Sequence, residues 1–300
     1  MRDNLRGIAA MLASATGFVI NDAMMKLATD ELPTGELIVI RGLMATALIG
    51  IAAWWYRAMR PLSVLLQRPM LIRICAAALA TLFIVGALRH LPLATVTAVL
   101  QVTPLAVTAG SALLLGASVG WPRWVASLVG LTGVLLIIKP GAADFITHAW
   151  IALVALLFAT ARDLTTRYID HSVPSLYVAF ASSAMITVAG FGLVPFEGWV
   201  APSGRALMLL SGASVAVFLA YYLGIVAMRT GEIPVVAPFR YATILLALAL
   251  GYLIWGHMPD SVSLVGIAMV CGTGLYLLLR ERMATVARKA NPATTGGSVS

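Results

Sequence analysis

The chain has 300 residues, of which 61% are hydrophobic and only 11% charged, with 20 Lys and Arg against 12 Asp and Glu. A soluble domain carries about a quarter charged residues, so this composition excludes an ordinary water-soluble enzyme. The formal net charge of +8 sits at the ends of apolar runs instead of in one patch, which argues for topology and against nucleic-acid binding.

Roughly 20 helical residues cross a hydrocarbon core about 30 Å thick. Apolar stretches of about that length predict ten membrane-spanning helices, at 7–27, 36–56, 72–88, 92–116, 123–139, 149–168, 175–195, 205–227, 234–255 and 262–279. The fold class expected is therefore an all-α integral membrane protein. Arg2 and Arg6 precede an Ala13-Ser14-Ala15 stretch, but cleavage there would leave only Gly7–Leu12 as an apolar core. That is too short for a secretory signal, so the first span is expected to be retained.

Span 1 carries Asn21, Asp22 and Lys26, and span 2 carries Arg41. A charge near the bilayer centre costs about 2.5–3.5 kcal/mol on insertion scales, so such groups are expected to face a partner or a cavity. With span 1 running outward, Asp22 lies about 7 Å from its outer end, and Arg41 on the returning span 2 lies at nearly the same depth. An Asp22–Arg41 ion pair is expected, with Asn21 beside it, either as a tie between the two spans or as an outer gate. Lys26 shares a helix face with Asp22. It either joins that gate cluster or snorkels to the interface.

Span 4 places Thr97, Gln101, Pro104 and Thr108 along one face, and span 6 holds Arg162 and Asp163 near its inner end. The latter two read as an inner counterpart of the outer cluster, or, for Arg162, as a residue reaching the headgroups. Span 8 carries a stripe of Ser211, Ser214, Phe218 and Tyr221 or Tyr222. In span 9, Pro234 and Pro238 precede Arg240 and Tyr241. A proline inside a helix frees backbone carbonyls, and membrane helices tolerate such breaks where they line a cavity. Arg240, Gln101, Tyr241, Tyr221, Tyr222, Thr97 and Asn21 are thus candidate substrate contacts, with core packing the alternative for the aromatic residues. Asp22, Arg41, Lys26, Arg162 and Asp163 are candidate gate residues. Arg240 would hold an anionic group, and Asp22 offers a place for a coupled proton.

Cys75 and Cys271 lie inside spans without metal-binding spacing, and neither a metal nor a cofactor is expected. With the N-terminus inside, thirteen Lys and Arg fall on the cytoplasmic side and three on the other, which predicts both termini in the cytoplasm. All seven Trp fall at span ends, as interfacial belts require. Residues 283–300, rich in Thr, Gly and Ser, are expected to form a disordered cytoplasmic tail.

Shifting the chain by 140 residues lays 87–105 over 227–245 and pairs Arg89 with Arg229, Val96 with Val236, Thr103 with Thr243 and Leu105 with Leu245. Ten spans divide into two sets of five, 1–140 and 149–282. Because five is odd, the second half must enter the membrane from the opposite side, giving an inverted repeat. The segments VAPFRYATILLALALGYLIWGHMPD and GWPRWVASLVGLTGVLLIIKPG, with NDAMMK and IRG, resemble the EamA-type branch of the drug/metabolite transporter superfamily. NDAMMK followed by IRG is similar to its S-adenosylmethionine and riboflavin importers. The family's Gly-Glu after spans 4 and 9 is here Gly116-Ala117 and Gly256-His257, so a role for those glutamates does not carry over.

The resemblance implies a secondary transporter in a bacterial inner membrane. It would move a small polar metabolite (amino-acid-, nucleoside- or vitamin-like) by alternating access, as a monomer or a homodimer. The rivals are an intramembrane enzyme, for which none of His90, His148, His171 or His257 lies mid-span, and a membrane sensor or assembly subunit without transport.

Overall fold

The computed structural model describes residues 2–115, 120–138, 143–170, 172–230 and 233–290. Among them the chain is all-α. The helices are α1 (Arg2–Ala28), α2 (Thr34–Trp55), α3 (Arg68–His90), α4 (Leu93–Leu100), α5 (Thr103–Leu115) and α6 (Trp121–Ile138). They continue as α7 (Ala143–Thr166), α8 (Ser175–Glu197), α9 (Gly204–Thr230), α10 (Ile233–Val236), α11 (Ala242–Trp255) and α12 (Ser261–Ala290). Short 3-10 segments occupy Leu62–Val64 and Ala237–Tyr241. Seven helices are long and apolar enough to cross a membrane, and Trp124–Ile138, Phe239–Trp255 and Ser261–Leu277 are shorter apolar helices. These segments coincide with the ten expected spans and describe a multi-pass membrane protein.

Helix boundaries follow local chemistry. Pro33, Pro92 and Pro174 stand immediately before α2, α4 and α8 in extended backbone, where a missing N–H costs nothing. Gly256 closes α11 with φ +66°, a left-handed conformation that a residue bearing a Cβ resists. α12 runs on to Ala290, so the expected tail does not begin at 283. Residues 291–300 of that tail lie outside the described residues, as do Gly116 and Ala117.

Two of the expected spans are broken. Span 4 is realised as α4 and α5, interrupted at Gln101–Val102, and span 9 as α10, the 3-10 segment Ala237–Tyr241 and α11. At the 140-residue offset the two interruptions meet at Gln101 and Tyr241. Even their hydroxyl caps match: Thr103 Oγ1 donates to Leu100 O at 2.5 Å, and Thr243 Oγ1 donates to Arg240 O.

The principal helix pairings are α1 with α9, α3 with α7, α2 with α8, and α6 with α12. α5 packs on α7, α11 on α1, and α4 on α11. Exchange of the first five spans for the last five turns each of these pairings into another member of the set, or into itself. The largest buried apolar cluster gathers where α4 and α11 meet, around Val96, Val99, Val134, Ile244, Ala247 and Val270. The α6–α12 pair is the tightest contact of backbones. A Cβ on Gly266 would stand 2.5 Å from Gly133 O, and one on Gly133 2.8 Å from Gly266 O.

Candidate functional site

The polar groups of α1 and α2 meet inside the bundle, in a different arrangement from the expected one. Arg41, 9% exposed, donates from Nε and Nη2 to Asn21 Oδ1 at 3.2 and 3.1 Å. Asn21 Nδ2 in turn donates to Asp22 Oδ1 at 2.8 Å. Among the described residues no ion pair within 4.0 Å joins Asp22 to Arg41. The expected direct pair is therefore a relay through a neutral amide. Successive residues on a helix point about 100° apart, so when Asn21 faces α2, Asp22 turns aside. Ser214 of α9 donates to Arg41 O at 3.0 Å, which adds a third helix to this junction.

Lys26 leaves the cluster altogether. Its Nζ donates to Leu88 O at 2.6 Å and Leu91 O at 2.8 Å, and lies 5.6 Å from the centroid of the Trp255 ring. The last carbonyls of a helix have no intrahelical donor and carry the negative end of its dipole. With Leu88 and Leu91 both buried, a cation from a neighbouring helix satisfies those of α3. Lys26 is thus neither a snorkelling residue nor a partner of Asp22.

At the crossing of the two broken spans, Gln101, 8% exposed, donates from Nε2 to Arg240 O at 3.2 Å. The side chain of Arg240 is exposed, and Thr97 is buried one turn before Gln101. Tyr241 takes the core-packing alternative. It packs against the core cluster, and its hydroxyl is seated over Gly274, where a Cβ would overlap it. Tyr241 therefore faces α12, away from the Gln101 amide.

Towards the end of the bundle that holds the N-terminus, Arg162 Nε donates to the adjacent Asp163 Oδ1 at 2.8 Å, with side chains 26% and 34% exposed. Tyr221 stands edge-on to Phe18 at 5.2 Å between ring centroids. It borders an open cavity of about 360 Å³ shared with Ser175, Gly224 and Met228. Tyr222 is instead hydrogen-bonded to Tyr56 just beyond α2.

Sequence reasoning missed four residues here. Arg73 was counted with the cytoplasmic loop charges, yet Pro69 in the first turn of α3 signals a helix that begins at Arg68 and carries Arg73 inside. Its Nε donates to Thr166 Oγ1 at 3.1 Å and its Nη1 to Ser182 Oγ, which ties α3 to α7 and α8. At the opposite end, three carboxylates fasten the α1–α2 turn to the α8–α9 connection. Glu197 Oε2 accepts from Gly35 N at 2.7 Å, and Glu36 Oε2 from Val200 N at 2.9 Å. Glu31 accepts from Ser203 Oγ and from Arg205 Nη1, the latter at 2.9 Å. Glu36 is fully buried. At the N-terminal end, besides Arg73, Tyr177 OH donates to Pro61 O at 3.3 Å and Arg60 Nη2 to Ser172 O at 3.5 Å.

Comparison with known proteins follows this geometry. The pseudopaline exporter of Pseudomonas aeruginosa PAO1 is 28% identical over 264 residues, which cover 86% of this chain and 90% of the exporter. The riboflavin transporter of Vibrio cholerae is 31% identical over 176 residues, 58% of each chain. The S-adenosylmethionine uptake transporter of Rickettsia conorii is 26% identical over 198 residues, 64% of this chain and 65% of that one. A protein of known crystal structure shares the fold with a TM-score of 0.63 and 22% identity, over 93% of this chain and 98% of its own. Residues 5–139 match the EamA-like transporter family. By that segment the chain is similar to the EamA-like transporter family, and its named relatives are metabolite transporters.

Proposed function

We propose that the protein is a secondary transporter of the bacterial inner membrane that moves a small polar metabolite by alternating access between two inverted five-span repeats, with both termini cytoplasmic. The observation that carries this reading is the pair of broken spans. α4–α5 and α10–α11 are interrupted at positions 140 residues apart and joined by the Gln101–Arg240 hydrogen bond, within a set of helix pairings that survives exchange of the halves. Interrupted helices at the junction of inverted repeats are where secondary transporters hold their substrates.

In this reading Arg240 offers its guanidinium to an anionic substrate group, with Gln101 and Thr97 beside it, and the Arg41–Asn21–Asp22 relay is a gate contact. The carboxylates Glu31, Glu36 and Glu197 close the outer end, while the cavity beside Tyr221 faces the inner one. The titratable Asp22 in the relay gives a coupled proton a place to act. The compounds for which the relatives are named, riboflavin and S-adenosylmethionine among them, set the first candidates.

The test is uptake of those compounds and of a panel of amino acids and nucleosides into proteoliposomes of the purified protein. Arg240→Ala is expected to weaken the response to the transported compound about tenfold, the low end of the about 1.5–3 kcal/mol that a hydrogen bond to a charged group contributes, because the Arg240 side chain is exposed before substrate arrives. Wild-type affinity in a folded Arg240→Ala protein would return Arg240 to a structural role. The absence of any uptake would favour a sensor or assembly subunit.

A further inference from the structure

Two guanidiniums inside the bundle are held only by neutral partners. Arg41 rests two donors on a single amide oxygen, Asn21 Oδ1. Arg73 donates to two hydroxyls, Thr166 Oγ1 and Ser182 Oγ. Among the described residues no carboxylate lies within 4.0 Å of either, whereas Arg162 has Asp163 and the exposed Arg205 has Glu31. A cation removed from water is expensive unless a counter-charge replaces the lost hydration. Lys26 meets that need with helix carbonyls; Asp22 and Asp163 lie within electrostatic reach of Arg41 and Arg73 but not within bonding distance, so neither guanidinium has an ionic acceptor in contact.

The two lie along one route. Arg73 is about 8 Å inside the N-terminal-end mouth of α3, Tyr221 about 14 Å and Arg41 about 21 Å from the corresponding ends of α9 and α2. Tyr221 is within electrostatic reach of both guanidiniums and of Arg162, and it borders the open cavity with Phe18, one turn before Asn21.

We propose that Arg41 and Arg73 form a binding path for the oxyanion group of a soluble metabolite, a carboxylate or a phosphate, with Tyr221 between them. This rests on the transporter reading and extends it to a substrate class and to a second set of contacts, apart from Arg240. An oxyanion can meet the Nε and Nη2 donors of Arg41 with two oxygens, where Asn21 offers one neutral oxygen. Bonds in which both partners are ionised are about twice as strong as neutral ones. The anion therefore displaces Asn21 from Arg41 and loosens the α1–α2 tie, so the event that binds the substrate also unlocks the contact between the two helices.

The experiment uses the full chain in nanodiscs and small matched probes: succinate against succinamide, glutarate against glutaramide, glycerol 3-phosphate against glycerol, with inorganic phosphate alone. Thermal stabilisation as a function of probe concentration is the readout. At least one oxyanion is expected to raise Tm while its neutral partner does not, and the carboxylate and phosphate arms identify which group is preferred. Arg41→Gln and Arg73→Gln should each shift the half-maximal concentration at least tenfold, Arg41→Lys should shift it less, and the exposed Arg6→Gln not at all. Equal stabilisation by neutral partners, no response to any oxyanion, or unchanged responses in the folded Gln variants would each overturn the proposal. Oxyanion binding without uptake of any compound would sink the transporter reading and leave this site standing. Uptake indifferent to Arg41 and Arg73 would do the reverse.

Discussion

Replacement of Asn21 by Leu keeps the side-chain volume close to native and removes the amide that stands between Arg41 and Asp22. Two losses follow. Arg41 forfeits its acceptor, counted once because Nε and Nη2 share one oxygen, and Asp22 forfeits the donor at 2.8 Å. Hydrogen bonds to charged groups contribute about 1.5–3 kcal/mol each, so Asn21→Leu should destabilise by about 3–5 kcal/mol, the range seen when a buried polar contact loses one partner. The relay also fixes the pattern of couplings. In double-mutant cycles Asn21 and Arg41 should couple by about 2 kcal/mol, because they touch, and Asp22 and Arg41 by less than about 1 kcal/mol, because an amide separates them. Reversible unfolding in mixed micelles of Asn21→Leu, Asp22→Asn, Arg41→Gln and the two doubles gives both numbers. An Asp22–Arg41 coupling equal to or larger than that of Asn21–Arg41 would refute the relay and restore a direct ion pair.

Lys26→Met keeps the aliphatic stem but leaves Leu88 O and Leu91 O without their donor. Unfolding in the same micelles should show a loss of about 3 kcal/mol, from two charge-assisted bonds that are not fully additive. Cysteines placed at Arg60 and Pro292 should resist an impermeant thiol reagent in intact cells while one at Asp144 reacts; reaction at Arg60 would invert the topology.

The spans were legible because hydrophobic length is a property of composition, and the break in span 9 because proline cannot serve a helix interior; the break in span 4 was not, since Thr97, Gln101, Pro104 and Thr108 read as one continuous face. The destinations of the polar side chains were not. Depth along a helix follows from counting residues, and counting put Asp22, Lys26 and Arg41 together. Which neighbour each side chain meets depends on rotation about the axis and on where other helices end. Lys26 found the terminus of α3 for that reason, since no property of Lys26 itself announces a ring of buried carbonyls 62 residues away. Arg73 was hidden by a boundary: the expected span began at 72 and left Arg73 at its very mouth, while four residues more of helix at the start of α3 carry it a full turn deeper. Tyr241 shows the limit of the repeat. The offset aligns it with Gln101, yet Gly274 of α12 opens a slot for its ring.

The contact of Gly133 with Gly266 bears on how such a bundle can work. At this contact there is no room for a Cβ on either glycine, and Leu136, Ile137, Met269 and Val270 close in around it, so α6 and α12 resist sliding or rolling against each other. α6 and α12 thereby behave as one unit, the keel of the bundle. Any movement within the bundle is then carried more easily by the other helices. Of the whole molecule, this is the part to which a rigid label or a crystallisation partner can be fixed without arresting the rest.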